Sequence, residues 1–352
     1  MATMVQAVRM ALHYGEEHLG VTDVFGEDVG PPLGGVFTAT QGLKTAWNTP
    51  LDERGIIGMA MGIAYGGGRP VAEIQFCDYG FNTIDLLKVA GNQYWSGAGN
   101  YPMPIVVMTP SGSGIRGSLY HSHSFESWAT RLAGWKVVMP SNPLDAYGLM
   151  LSAIADPNPV LVLLPKALLR IKGDTLLPGE PEDEGELKER IDAPVGDRSN
   201  WQPRWPDLKP LFLPIGTSHL CREGEQATVV SYGRTLPLCV QAADEIRKER
   251  GFAFDVIDMR SIFPYDWKGI AASLQKTGRL LIVNEDTEVT NFGEHLIRRA
   301  IDENFYDLMV RPRLLAGKYV PGIGLNQIYE QNTVHQIPQI KQAMLEIASE
   351  PA

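Results

Sequence analysis

Three stretches of this chain carry residue types at spacings suited to chemistry. The first is Thr49-Pro50-Leu51-Asp52-Glu53. Pro50 fixes its own φ and pushes Thr49 toward extended geometry, so the chain enters a following helix along a defined path. Asp52 is placed to cap that helix, and Glu53 falls in its first turn. Acidic residues favour helix N-termini on electrostatic grounds, and from local sequence alone that account suffices. The functional alternative is a carboxyl held at a domain edge beside a ligand.

The second stretch, Glu73-Ile74-Gln75-Phe76-Cys77-Asp78-Tyr79-Gly80, lies at the C-terminal end of an expected parallel strand, where ligands of open α/β sheets collect. An aromatic ring and an amide there suit a flat heterocycle, although Phe76 alone fits ordinary core better. The third is the Gly/Ser-rich run Ser111-Gly112-Ser113-Gly114-Ile115-Arg116-Gly117-Ser118-Leu119-Tyr120-His121-Ser122-His123-Ser124. It is not a Walker-type phosphate loop, because no Gly-Lys-Ser/Thr follows. His121 and His123 have no third metal ligand close in sequence, so a loop histidine suits proton donation better than zinc binding.

The elements that must position these stretches follow from apolar periodicity. Met4, Val5, Ala7, Val8, Ala11 and Leu12 fall at helical spacing, so Met1 to Gly20 reads as an opening helix and lacks the apolar core of a signal peptide. Strands are expected at 21–25, 70–76, 105–108, 135–139 and 160–164, with helices from 52 to about 65, at 82–96 and at 143–155. This alternation predicts a doubly wound α/β sheet, mostly parallel. Between about Ile171 and Leu211 the pattern lapses into a run rich in Pro, Asp and Glu. A second alternation follows, with strands at 227–232, 253–257 and 280–283. Its helices are expected at 236–248, 267–276, 292–304 and 338–347. The reading is therefore two α/β domains, 1–172 and 213–352, joined by an acidic linker or surface excursion at 173–212.

Composition narrows the function. The formal net charge of -10 over 352 residues argues against nucleic acid, whose phosphates call for a basic face. No apolar run approaches the roughly 20 residues needed to span a bilayer. Cys77, Cys221 and Cys239 are scattered without CxxC spacing, which fits a reducing compartment and a cytoplasmic protein.

The order of these segments resembles the beta subunits of 2-oxo acid dehydrogenases. The resemblance runs from Gly26-Glu27-Asp28-Val29-Gly30 through Tyr120-His121-Ser122-His123-Ser124, and includes Asp156-Pro157-Asn158-Pro159 and Leu164-Pro165-Lys166-Ala167-Leu168-Leu169-Arg170. It implies a transketolase-like pyrimidine-binding domain followed by a transketolase C-terminal domain. It also implies that Glu53 contacts the aminopyrimidine ring of thiamine diphosphate and sets the tautomer that takes a proton from the thiazolium carbon. By the same resemblance Leu51 and Gln75 line the pyrimidine pocket, Tyr79 stacks on the ring, and His121 stands where the acyl group passes to a lipoyl arm. Asp156 and Asn158 resemble residues around a structural potassium ion. Three departures stand out: Cys77 where alanine is expected, His123 where glutamine is usual, and a longer acidic stretch between the domains.

Thiamine-diphosphate enzymes hold magnesium and the diphosphate through Gly-Asp-Gly and a downstream asparagine. No Gly-Asp-Gly occurs here; Gly173-Asp174 and Gly196-Asp197 continue as Thr175 and Arg198. The chain is thus expected to hold the pyrimidine half of a site, with an alpha subunit supplying magnesium and diphosphate binding in an α2β2 assembly. Further expected partners are a dihydrolipoyl acyltransferase core with its lipoyl domains and a small 2-oxo acid, with branched-chain acids favoured over pyruvate or acetoin. A non-catalytic scaffold subunit is the alternative of a different class, against which Glu53 and His121 count. A 2-oxo acid:ferredoxin oxidoreductase subunit is a third reading, to which the scattered cysteines lend no support.

Overall fold

The structure is a computed structural model that describes residues 1–198 and 200–351. Two compact units account for the chain. The first comprises Met1–Pro110, Arg131–Leu164 and Leu168–Ile215; the second comprises Ser111–Thr130, Pro165–Ala167 and Gly216 onward.

The first unit opens with α1 (Met4–His18), started by a reciprocal cap in which Thr3 Oγ1 accepts from Gln6 N and Gln6 Oε1 accepts from Thr3 N. Such a cap stabilises a helix by about 1 kcal/mol. The sheet contains β1 (Asp23–Gly26), β2 (Ala46–Asn48), β3 (Pro70–Glu73), β4 (Val106–Ser111), β5 (Lys136–Val138) and β6 (Val160–Pro165), in the order β5-β6-β4-β3-β1-β2. The pairs β1–β2, β1–β3, β3–β4 and β5–β6 are parallel, and β3, β4 and β6 are buried along their whole length. That is why Val106-Val107-Met108 and Val160-Leu161-Val162 read as continuous apolar runs rather than alternating ones. The helical elements are the short α2 (Gly35–Thr38), α3 (Glu53–Tyr65), α4 (Ile84–Ser96), the single turn α5 (Glu126–Ala129) in the second unit, and α6 (Pro143–Ala155). The apolar face of α1 packs on α6.

Two expectations shift here. The strand expected to reach Phe76 stops at Glu73, and a 3-10 helix (Cys77–Thr83) replaces the start of the helix expected at 82. The stretch 173–212, expected as an acidic linker or surface excursion, carries α7 (Glu184–Ile191). Leu177, Leu187, Ile191 and Leu208 from this stretch are buried in the first unit's core. Asp183 caps α7 by accepting from Glu186 N, so its acidic run works as a helix start.

In the second unit the sheet holds β7 (His219–Arg222), β8 (Thr228–Ser231), β9 (Asp255–Asp258), β11 (Leu280–Thr287) and β12 (Arg313–Gly317), ordered β12-β11-β8-β9-β7. The short β10 (Ser261–Phe263) lies outside this sheet. All pairs of the five-stranded sheet are parallel except β7–β9. The helices α8 (Thr235–Arg250), α9 (Trp267–Thr277), α10 (Phe292–Asn304) and α12 (Ile337–Ser349) match the expected helical stretches within three residues, and α11 (Gln327–Thr333) adds a short one. Among the described residues no helix is long and apolar enough to cross a membrane.

Candidate active site

Parallel pairing brings the Gly26–Gly30 segment and the second candidate stretch to one sheet end. In the β1–β3 register Val24 faces Val71 and Phe25 faces Ala72. The same offset carried past the strand ends sets Asp28 against Gln75, and Gln75 Nε2 donates to Asp28 Oδ2 at 2.6 Å across a separation of 47 residues. Both stretches leave the sheet at its C-terminal edge, where the strand ends diverge and open space for ligands.

Glu53 enters the cluster from the start of α3. Asp52 caps the helix by accepting from Gly55 N at 3.0 Å, which turns Glu53 inward: Asp52 is exposed, whereas Glu53 is only 8% exposed. Asn82 Nδ2 donates to Glu53 Oε2 at 3.1 Å. Glu27, which sequence reasoning did not single out, faces Glu53. Burial, then the Glu53 carboxylate and then Asp28 push the Glu27 carboxyl up to about 7. A neighbouring carboxylate disfavours a second negative charge, so the Glu27 carboxyl keeps its proton to higher pH than usual. Glu27 Oε1 is buried and has no hydrogen-bond partner among the described residues. A buried polar atom without a partner costs roughly 1–3 kcal/mol, so this pair fits a ligand that brings a donor.

Glu73, the last residue of β3, is a second residue missed in the sequence. It is 3% exposed, and both its oxygens accept from Val36 N, at 2.9 and 2.8 Å. Gly35 precedes that contact because a Cβ there would lie 1.8 Å from Glu73 Oε2. The bond holds Val36, Phe37 and Thr38 at φ of 33°, 48° and 95°, a strained run for side-chain-bearing residues. Burial raises the Glu73 carboxyl to about 8, against the opposing Val36 N–H bond.

This shift fixes a sign. The folded chain holds a proton on Glu73 that the unfolded chain releases near its ordinary value of 4.5, so the stabilisation is complete below pH 4.5 and is lost as pH rises toward 8. The full effect is at most about 5 kcal/mol. Glu73→Gln keeps an oxygen for Val36 N and removes the titration. Its unfolding midpoint is expected to fall less than that of the wild type between pH 5.5 and pH 8; parallel curves would contradict the assignment.

The other expected site residues fall as follows. Tyr79 sits half-buried in the 3-10 helix, edge-on to Phe76 with ring centroids 6.1 Å apart. Leu51 is 81% exposed, an apolar side chain with nothing covering it in this chain. His121 is half-buried and belongs to the second unit, in the loop following the turn Ser118–Tyr120. Asp156 and Asn158 form a closed turn: Asp156 Oδ1 accepts from Asn158 N and Nδ2, both at 2.9 Å, and Asp156 Oδ2 is ion-paired with Lys136. Lys136 neutralises the carboxylate, so these side chains do not fit a cation site. Among the described residues no group of three or more His, Cys, Asp or Glu could hold a metal. A cavity of about 800 Å³ lies beside the cluster in the first unit, lined by Val29, Leu33, Lys44, Arg198 and Trp201 among others, and does not include Glu53.

Comparison with known proteins fits this geometry. The family model "Transketolase, pyrimidine binding domain" matches residues 1–172, and "Transketolase, C-terminal domain" matches residues 216–340. A 2-oxoisovalerate dehydrogenase subunit beta of Bacillus subtilis is 32% identical over 351 residues, covering 98% of both chains. One from Pseudomonas aeruginosa is 36% identical over 316 residues, covering 87% of this chain and 84% of its own. The chain belongs to the 2-oxo acid dehydrogenase beta-subunit family. A further beta-subunit relative, from the pyruvate dehydrogenase E1 component of Leifsonia xyli, is 33% identical over 334 residues, covering 90% of this chain and 88% of its own. Among solved structures a split-gene transketolase, described as an inactive beta4 tetramer, shares the fold at a TM-score of 0.72 and 16% identity, with full coverage of both chains. In this beta subunit, then, Glu27, Glu53, Asp28 and Gln75 lie within the domain that the family model describes as pyrimidine-binding.

Proposed function

We propose that this beta subunit carries the pyrimidine half of a thiamine-diphosphate site and, with an alpha subunit, decarboxylates a branched-chain 2-oxo acid and passes the acyl group to lipoyl domains. The observation that carries the proposal is the Glu27–Glu53 pair, with one buried carboxyl oxygen lacking a donor. When bound, thiamine diphosphate supplies the electron sink that a 2-oxo acid needs to lose carbon dioxide. Glu53 would contact the pyrimidine ring, with the raised Glu27 carboxyl beside it. Gln75, oriented by Asp28, lines the ring's edge. Tyr79 would supply a flat wall, and exposed Leu51 would line the pyrimidine pocket. His121 acts at the transfer step as proton donor or stabiliser.

Magnesium and the diphosphate belong to the alpha subunit in this reading, since the chain has no Gly-Asp-Gly. Potassium is given no side-chain ligand, because Lys136 and Asn158 occupy both oxygens of Asp156. The acyltransferase core with its lipoyl domains remains the partner that receives the acyl group. Cys77, Cys221 and Cys239, scattered without CxxC spacing, support a reducing compartment such as the cytoplasm.

The branched-chain reading is supported by the names of most relatives, and the Leifsonia xyli relative keeps pyruvate as the second reading. Reconstitution with the cognate alpha subunit tests the choice. The expected kcat/KM for 2-oxoisovalerate exceeds that for pyruvate by about tenfold or more, the discrimination that two added methyl groups give in an apolar pocket. Equal values, or a preference for pyruvate, would favour the second reading.

A further inference from the structure

The loop that carries His121 is gripped by carboxylates at its backbone, and all of the contacts lie within the second unit. Glu285, on β11, accepts from Ser113 N at 3.2 Å and from Ser113 Oγ at 2.5 Å. Glu330, in the middle of α11, is 9% exposed and accepts with Oε2 from both Gly114 N at 3.0 Å and Arg116 N at 2.9 Å. Asp286 accepts from Ser127 N at 3.2 Å on the far side of the histidine. At the loop's base Gly112 N donates to His123 O at 2.9 Å.

The grip holds a conformation that the chain does not prefer. Arg116 and Ser118 have φ of 57° and 58°, in the left-handed region that side chains disfavour. Gly112 sits at φ 79°, and a Cβ there would meet Glu285 Oε1 at 2.0 Å, so only glycine lets that carboxylate approach. Gly117 follows the Glu330-bound Arg116, and a Cβ on Gly117 would lie 2.4 Å from His121 Cβ. The path from Glu330 to the histidine is therefore short: carboxylate, Arg116 N–H, Gly117, His121. A carboxylate accepting two N–H groups fixes the loop more strongly than neutral acceptors do.

We propose that Glu330 is a positioning residue for the transfer step, holding the His121 loop in its strained form through Gly114 and Arg116. The proposal rests on the reading of His121 given above and adds a residue far along the chain, on a separate helix. Glu285 shares the task, with Arg234 Nε 3.9 Å from its carboxylate as a partial counter-charge.

The test uses the enzyme assembled with its alpha subunit. Two rates are compared, acylation of an isolated lipoyl domain and turnover with an artificial electron acceptor, alongside amide hydrogen exchange in the loop. Glu330→Ala is expected to lower the ratio of lipoyl acylation to artificial turnover by about tenfold, within the range of losses from misplacing a reacting group. It is also expected to speed exchange at Gly114 and Arg116. Glu330→Gln, which keeps an oxygen acceptor, restores both, and adding Glu330→Ala to His121→Ala brings no further loss. If Glu330→Ala does not assemble, Glu330→Asp, shorter by one methylene, carries the same expectation. An unchanged ratio, unchanged exchange, or additive losses in the double variant would each overturn the proposal. A His121→Ala enzyme with an unchanged ratio would instead overturn the reading of His121, while amide exchange would still decide whether the clamp exists.

Discussion

Glu53→Gln in the assembled enzyme is expected to lower decarboxylation by roughly a thousandfold, the middle of the range for losing a positioned acid–base group. The substitution is conservative in shape. Glutamine keeps the oxygen that accepts from Asn82 Nδ2, and Asp52 still caps α3. Two things are lost: an ionisable carboxyl beside Glu27, and a negative charge in the first helical turn worth about 0.3–1 kcal/mol. Assembly should survive and turnover should not. Steady-state turnover with an artificial acceptor, together with the size of the assembly, reads both. A variant with more than a tenth of wild-type turnover would sink the assignment.

The second large effect needs no mutation. The beta chain without its alpha partner is expected to show no measurable decarboxylation, even with saturating thiamine diphosphate and magnesium. The argument is chemical. The carboxyl cluster offers acceptors but no cationic or Gly-Asp-Gly cradle for a diphosphate, and no metal cluster occurs among the described residues. Acidic groups repel a diphosphate, so Glu53 and Asp28 suit the ring and not the charged tail. Adding the alpha chain is expected to restore turnover in proportion until the two are equimolar. Full activity from the beta chain alone would remove the half-site account.

Much of the first unit was legible because its signals are local. The helical spacing from Met4 to Leu12, the apolar runs of β4 and β6 and the proline-led entry to Glu53 all depend on near neighbours in sequence. Glu27 and Glu73 were harder. Each matters through a contact to a helical element distant in sequence, Glu27 with Glu53 at the start of α3 and Glu73 with Val36 in α2, which only the folded chain reveals. A signal did exist, since Glu27-Asp28 leaves β1 as Gln75 follows β3, at an offset that parallel neighbours would share. The stretch 173–212 misled because α7 is predominantly charged, and its two buried side chains, Leu187 and Ile191, are too few to show a period. The edge strands β7 and β12 were missed for a related reason, being only partly buried and mixed in composition. Nor could local sequence assign Ser111–Thr130 to the second unit. Its ties are carboxylates 159 to 216 residues away.

Glu53 is the centre of the account, and the exchange rate of the C2 proton of bound thiamine diphosphate tests it most directly. Measured in the enzyme assembled with its alpha subunit and without substrate, that rate reports cofactor activation apart from decarboxylation and acyl transfer. The wild-type assembly should exchange the proton far faster than free cofactor does, and Glu53→Gln should bring the rate back toward the free value with the cofactor still bound. Exchange as fast in Glu53→Gln as in the wild type would show that the carboxyl does not activate the cofactor.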